Sequence, residues 1–191
     1  MLIKKKPIYE YMWIVSSLYL ILGFFNILFA WLGLICFLVP LIISLAGGEK
    51  AYCNKYCGRG QLLDFLGNKL KFSRNKSIPK FLRSKWFRYG FLSFFLTMFS
   101  LMLFNTYMVL QGERNLRKAI TLLWTWRLPW NFVNTSMVSP WIAQFAFGFF
   151  SLMLTSTILG IITMLLYKPR SWCVYCPMGT MTQSICKVKN K

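Results

Sequence analysis

Two cysteine pairs carry the chemistry that this sequence could perform. Cys53 and Cys57 enclose three residues in 52-YCNKYCGRG-60, and Cys173 and Cys176 enclose two in 172-WCVYCPMG-179. Either spacing lets both sulfurs point inward from one loop or first helical turn. If the two pairs converge, they offer four sulfur ligands, which suit a [4Fe–4S] cluster, a [2Fe–2S] cluster or structural zinc. Several neighbours favour iron–sulfur. Pro177 follows Cys176 directly, as proline follows cysteine in ferredoxin-type ligand runs. Gly58, Gly60 and Gly179 let backbone N–H groups come close to a bound anion. Nearby Lys and Arg would offset the negative charge of a four-thiolate site. Structural zinc, by contrast, usually holds together a small domain that lacks its own core. The expected cluster ligands are therefore Cys53, Cys57, Cys173 and Cys176, with no separate catalytic residues.

The other two cysteines read differently. Cys36 sits in an apolar run, where cysteine packs as a small hydrophobe. Cys186 lies on the basic tail and is incidental if four ligands already fill the site. The chain has no histidine. That removes the usual axial ligand of a b-type haem, the Rieske centre and the histidine-dependent nucleophile systems, so no haem is expected.

The elements that must position these cysteines are apolar. The 191 residues are 57% hydrophobic and 18% aromatic, with four acids against 23 Lys and Arg, a net charge of +19. A soluble domain carries about 25% charged residues; this chain carries 14%. The excess of positive charge does not imply nucleic acid, because it flanks runs too apolar for a soluble fold. It reads instead as anchoring on an anionic membrane leaflet, with lipid as a partner.

No charge interrupts Tyr11 to Gly48. A single helix of that length would measure roughly 57 Å, against a hydrocarbon core of about 30 Å. The run therefore divides into spans 12–30 and 33–48, turning near Trp31-Leu32-Gly33. Two further spans are expected at 89–110 and 142–167. Between Glu49 and Arg88 the chain is basic. There, Leu62, Leu63, Leu66 and Leu70 share one helical face, which predicts a short amphipathic helix on the membrane surface. Trp124, Trp126, Trp130 and Trp141 have the composition of an interfacial aromatic belt.

The expected fold is thus an all-α membrane protein, one domain over 1–191. Its four transmembrane helices form two tandem hairpins, each followed by a Cys-pair loop, at 52–60 and 172–179. Basic residues place both loops and both termini on the cytoplasmic side of the cell membrane. Aligning Cys57 with Cys176 also aligns Tyr56 with Tyr175 and Gly60 with Gly179. Two units related by an axis along the membrane normal would bring both motifs to one surface.

The segments 52-YCNKYCGRGQLLD-64 and 172-WCVYCPMGT-180, each after an apolar hairpin, resemble the membrane iron–sulfur proteins of the NapH and MauN group, and the membrane half of NosR is similar. The resemblance covers about Ile14 to Ile185. It implies electron transfer between a membrane quinol pool and redox partners, with Cys53, Cys57, Cys173 and Cys176 as the membrane-face cysteines. The sequence departs from the family pattern in three ways. Gly58 stands where proline is usual, the second motif is one residue shorter, and no CxxCxxCxxxCP run follows before Lys191. A further carrier is then expected on another subunit.

The leading expectation is a membrane electron-transfer subunit with one iron–sulfur cluster. It would relay electrons between a quinol or flavin partner and a ferredoxin- or flavoprotein-like redox protein, and a quinone is a further candidate ligand. The Trp-rich loop 124–141 would then lie about 30 Å of core away from the cysteines. Two other classes compete. A thiol–disulfide oxidoreductase would use the CxxC pair, with Lys55 lowering a thiol pKa. A Cu(I)-handling or assembly factor would use Cys and Met.

Overall fold

The computed structural model describes residues 11–47, 53, 56–123, 125–129 and 138–189. It is mostly helical. The long elements are α1 (Met12–Phe25), α2 (Gly33–Gly47), α5 (Lys85–Leu110) and α6 (Pro140–Leu166); the short ones are α3 (Gly58–Asp64), α4 (Lys80–Arg83), α7 (Trp172–Tyr175) and α8 (Pro177–Lys189). Three helices are long and apolar enough to cross a membrane: Ile27–Ala46, Lys85–Leu110 and Pro140–Leu166. Together they indicate membrane association. The apolar helix Met12–Phe25 is shorter, about 21 Å at 1.5 Å per residue.

The division of the first apolar run differs from the expected 12–30 and 33–48. The break falls at Asn26, whose backbone is extended (φ −141°, ψ 112°) and whose side chain accepts from the Leu28 N–H. A 3-10 stretch over Ile27–Leu32 then runs into α2. A Cβ on Gly33 would lie 2.5 Å from the Tyr19 hydroxyl. Residues 19 and 33 are symmetric about Asn26, so the chain doubles back there. Asparagine competes for backbone hydrogen bonds and ends a helix; nothing in Trp31-Leu32-Gly33 does so as strongly.

Helix α6 is central. Phe147, Phe149 and Phe150 are all buried, packed against Ile27 and Ala30 on one side and Met102 on the other. The outward faces of the other helices stay apolar and exposed, as at Ile35 and Ile42 on α2 and Leu101 and Phe104 on α5. Within lipid such helices gain little from burial itself and associate through close packing. Gly148 provides that closeness: a Cβ there would stand 2.3 Å from Met102 Cγ. Cys36 was expected to be buried in this packing but lies on the exposed face of α2.

The 111–139 connection also differs from a plain interfacial loop. Ala119–Leu122 (β1) and Trp126–Pro129 (β2) pair antiparallel, Ala119 opposite Pro129 and Leu122 opposite Trp126. The outer edge of β1 lies along α6. The Thr121 N–H donates to Ser151 Oγ at 3.0 Å, and the Leu123 N–H donates to Thr155 Oγ1 at 3.3 Å. Ser151 and Thr155 are one turn apart, near the middle of α6. Backbone at membrane depth survives only where protein groups satisfy it, and these two hydroxyls do so. Ile120 is fully buried in the α6 core. Of the four tryptophans expected at an interface, Trp126 is exposed and Trp141 partly so; Trp124 and Trp130 lie outside the described residues.

Candidate iron–sulfur site

The cysteine segments assemble at one end of the bundle. The start of α1, the end of α2, the start of α5 and the end of α6 all meet there. Gly58 stands against the Met12 carbonyl, Ser44 Oγ donates to the Thr182 carbonyl at 3.2 Å, Arg88 donates to Gln183, and Met164 packs with Trp172.

Helix α3 was expected to lie on the membrane surface, but it docks into this end. Leu62 and Leu63 are buried, Trp13 stacks on Phe65 at 4.0 Å, and only Leu70, beyond the π-helical turn Phe65–Lys69, is well exposed. The approach needs Gly58, because a Cβ there would lie 2.9 Å from the Met12 carbonyl oxygen. The Leu63 side chain meets Gly160 of α6 closely, 3.1 Å from where a Cβ would be. A partly exposed ion pair, Arg170 Nε to Asp64 Oδ1 at 3.5 Å, links the two cysteine-bearing segments. At that exposure it contributes at most about 1 kcal/mol.

Each motif places its last cysteine immediately before a helix. Cys57 is extended (φ −67°, ψ 102°) and its carbonyl accepts from the Gln61 N–H at 3.0 Å, opening α3. Cys176 is likewise non-helical, and its carbonyl accepts from the Thr180 N–H at 2.9 Å, opening α8. Pro177 fits the first position of α8, where no N–H is needed. The backbone N–H groups of Gly179 and Met178 turn toward the Cys176 sulfur. The aligned residues of the two motifs thus play the same local part.

The pairs then converge. A Cβ placed on Gly60 would lie 3.6 Å from Cys173 Sγ and 3.7 Å from Cys57 Sγ, so residues 116 apart in sequence bring their sulfurs around one glycine. Cys53 Sγ lies 3.7 Å from Thr182 Oγ1 on α8. Crowding by surrounding protein pushes the Cys173 thiol up, although its outer surface remains exposed. The adjacent thiols of Cys176, Cys57 and Cys53 push it the same way, and Arg170 opposes them. Burial likewise raises Cys176, against the backbone N–H groups and Arg59. Four thiols gathered this way resist ionising together unless positive charge enters among them.

Arg59 had no assigned role in the sequence. It leaves α3 beside Cys57 and reaches the middle of α6, where it donates to Ser156 Oγ at 2.7 Å and to Met153 Sδ at 2.8 Å. A basic residue two positions from a cysteine looks like any surface cation in sequence. Lys55 lies outside the described residues. Cys186 is buried at the α2–α8 contact, 3.4 Å from Ser44 Oγ, and serves packing there.

The donor set fits an iron–sulfur cluster. Among the described residues no three Cys, His, Asp or Glu side chains are gathered tightly enough for a single metal ion. A cluster instead needs its thiolates spread around a cage, and the missing side chain of Gly60 keeps the surface next to two of them clear. Helix-opening N–H groups and the cations Arg59 and Arg170 favour an anionic group.

Such a fold and site define a class, the iron–sulfur proteins built on apolar, membrane-length helices. The chain belongs to the 4Fe-4S binding domain family, whose model matches residues 29–79 and 137–191, each segment containing one cysteine pair. Its cofactor is accordingly a [4Fe–4S] cluster rather than the [2Fe–2S] alternative. No curated protein and no solved structure matches the chain.

Proposed function

We propose that the protein is a membrane electron-transfer subunit whose single [4Fe–4S] cluster is held by Cys53, Cys57, Cys173 and Cys176. The observation that carries this reading is the approach of Cys57 and Cys173, from separate halves of the chain, to one side of Gly60. When bound, the group supplies reversible one-electron exchange. The chain's own residues fix the thiolates at helix starts, offset their charge through Arg59 and Arg170, and exclude water on the inner side with Leu63, Trp172 and Tyr175.

Its partners in this reading are a quinol- or flavin-bearing protein and a ferredoxin- or flavoprotein-like redox subunit; the resemblance to the NapH and MauN group supports the quinol pool. The four-pass arrangement is part of the same proposal. Its support is that the ends of α1, α2, α5 and α6 next to the cysteines all lie together, with the basic 69–88 segment beside them. That charge supports a site on the cytoplasmic face.

The test is anaerobic purification in detergent, with iron and sulfide assays and EPR after dithionite reduction. The expected result is about four irons per chain and a reduced-cluster signal that disappears in the Cys57→Ser, Cys176→Ser double variant. No iron, with titratable thiols or bound copper instead, overturns the proposal. Reporter fusions at Asn75 and Lys191 should both read cytoplasmic; an external signal at either refutes the topology.

A further inference from the structure

The opposite end of the bundle contains a second feature that the cysteine site does not use. A cavity of about 330 Å³ opens between α5, α6 and the β1–β2 hairpin. Arg114 and Arg117, with Asn105 and Gln144, line its outer part; Arg127, opposite Thr121 in the hairpin, lines it deeper, at the level of Ser151. Arg114 donates to Asn105 Oδ1 at 2.6 Å, and the Arg117 backbone N–H donates to Gln144 Oε1 at 3.0 Å, so both arginines are tied to the rim. The inner part is lined by Met98, Met102 and Leu152, and Ser151 and Thr155 border the strand edge.

The charge balance at this cavity is one-sided. Among the described residues no carboxylate lines it; Glu113, next to Arg114 in sequence, does not. Three arginines line one small volume with no lining acid to offset them. Arginine forks match the oxygens of a phosphate or carboxylate. In the four-pass arrangement proposed above, Arg114 and Arg117 also lie toward the side where basic residues are ordinarily sparse. Below the charged rim, the apolar lining runs down α5 from Asn105 toward Met98 and down α6 from Gln144 toward Leu152. Those stretches correspond to about 10–12 Å of helix. The cavity therefore has a cationic mouth at a helix-end level, apolar walls on α5 and α6 toward the middle of the bundle, and Arg127 facing it from the hairpin side.

We infer that this cavity binds the phosphodiester headgroup and upper acyl chain of an acidic phospholipid, on the membrane face opposite the cysteines. The shared recognition chemistry is that of a phosphate anion. The apolar walls select the lipid over free phosphate, which would leave Met98, Met102 and Leu152 facing empty space. The bound lipid would also brace the β1–β2 hairpin against α5, since Arg127 lies on β2 and Thr121 and Ala119 on β1. The inference rests on the four-pass arrangement proposed above but not on how the cluster is held.

The test uses the full chain in neutral detergent micelles, titrated with dioleoylphosphatidylglycerol, dioleoylphosphatidylcholine or inorganic phosphate. Bound adducts are counted by native mass spectrometry. The variants are Arg117→Gln with Arg127→Gln, the single Arg127→Gln, and Lys118→Gln, which removes the same charge beside the cavity without lining it. The expected result is a phosphatidylglycerol adduct on the parent protein and on Lys118→Gln, weakened at least tenfold in the double variant and severalfold in the single. Phosphatidylcholine should bind weakly to all. Iron content, unchanged in every variant, shows that the fold is intact; if the double variant loses iron, the single decides. Equal phosphatidylglycerol binding by parent and arginine variants overturns the proposal. Displacement of the lipid by inorganic phosphate at equal concentration overturns the lipid as the source and leaves a simple anion site.

Discussion

The substitution Gly60→Ala separates the site's chemistry from the stability of the fold. Gly60 is buried inside α3, and an added methyl would meet Cys173 Sγ at 3.6 Å and Cys57 Cβ and Sγ at 3.7 Å. Those are ordinary van der Waals distances, so the metal-free protein can accept the methyl without moving backbone. Alanine is also the better helix former, by about 0.8–1.0 kcal/mol over glycine. The metal-free variant should therefore be as stable as the parent, or more stable by up to about 1 kcal/mol. The same methyl lies against both sulfurs, on the side from which they would hold a cluster, so iron and sulfide per chain should fall severalfold. Gly60→Val, with two further methyl groups, should abolish loading. Gly90→Ala on α5, where an added Cβ meets nothing within 4 Å, serves as the control and should load fully. The assays are iron and sulfide content, EPR of the reduced protein, and thermal unfolding of the metal-free form in detergent. A Gly60→Ala protein with parental iron and an unchanged signal would falsify the placement of the cluster between these thiols. Parallel loss of iron and stability would refute the packing argument.

Three further outcomes follow from the same geometry. Arg59→Gln removes a cation that favours negative charge at the cysteines, so the cluster midpoint should shift to lower potential. The shift should be on the order of tens of millivolts, given about 59 mV per tenfold for one electron; redox-poised EPR reads it, and an unmoved midpoint refutes the coupling. Gly112 closes α5 with φ +79°, its N–H donating to the Val109 carbonyl while the Glu113 N–H donates to Met108. Gly112→Ala should cost about 1–2 kcal/mol in thermal unfolding without changing iron content. In the metal-free protein Cys176 is raised by burial, so its alkylation at pH 8 should be slower than that of an ordinary thiol. The sign for stability follows. A thiol held protonated in the fold contributes fully below the ordinary thiol pKa, and that contribution is lost as pH rises through the folded value. The metal-free fold should weaken in alkaline solution, and mass-mapped alkylation across a pH series checks both statements.

The cysteine pairs of the candidate site were legible because cysteine spacing is a local signal. Two pairs in matching contexts, each with a glycine three residues after its last cysteine, stand out before any packing is known; that both open a helix comes from the structure. The long apolar helices were legible from hydropathy. What the sequence hid depends on contacts between distant segments. Asn26 is one polar residue in an uncharged run, and its power to reverse the chain appears only when Tyr19 is seen beside Gly33. Ser151 and Thr155 read as small packing residues, yet they satisfy the edge of β1 and draw the hairpin halfway along α6. This changes the expected separation between that loop and the cysteines. Thr155 adjoins Ser156, which Arg59 reaches from the cysteine segment, so the hairpin tip and the site approach one another through α6 instead of facing across the full core. Arg59 itself was hidden among many basic residues, since nothing local marks the one that turns inward.

The sulfurs that meet at Gly60 lie on either side of a connection running from residue 57 to residue 173. A group bound to both pairs would close that stretch into a ring. Closing a loop of about 100 residues lowers the entropy of the unfolded chain by an amount worth about 4.7 kcal/mol for a simple cross-link, in the chain-entropy model. The bound cluster would then restrain the unfolded ensemble as well as exchange electrons. On that account, oxidative loss of the iron frees two halves that pack chiefly through α6, and the metal-free chain should be the form that membrane proteases remove first.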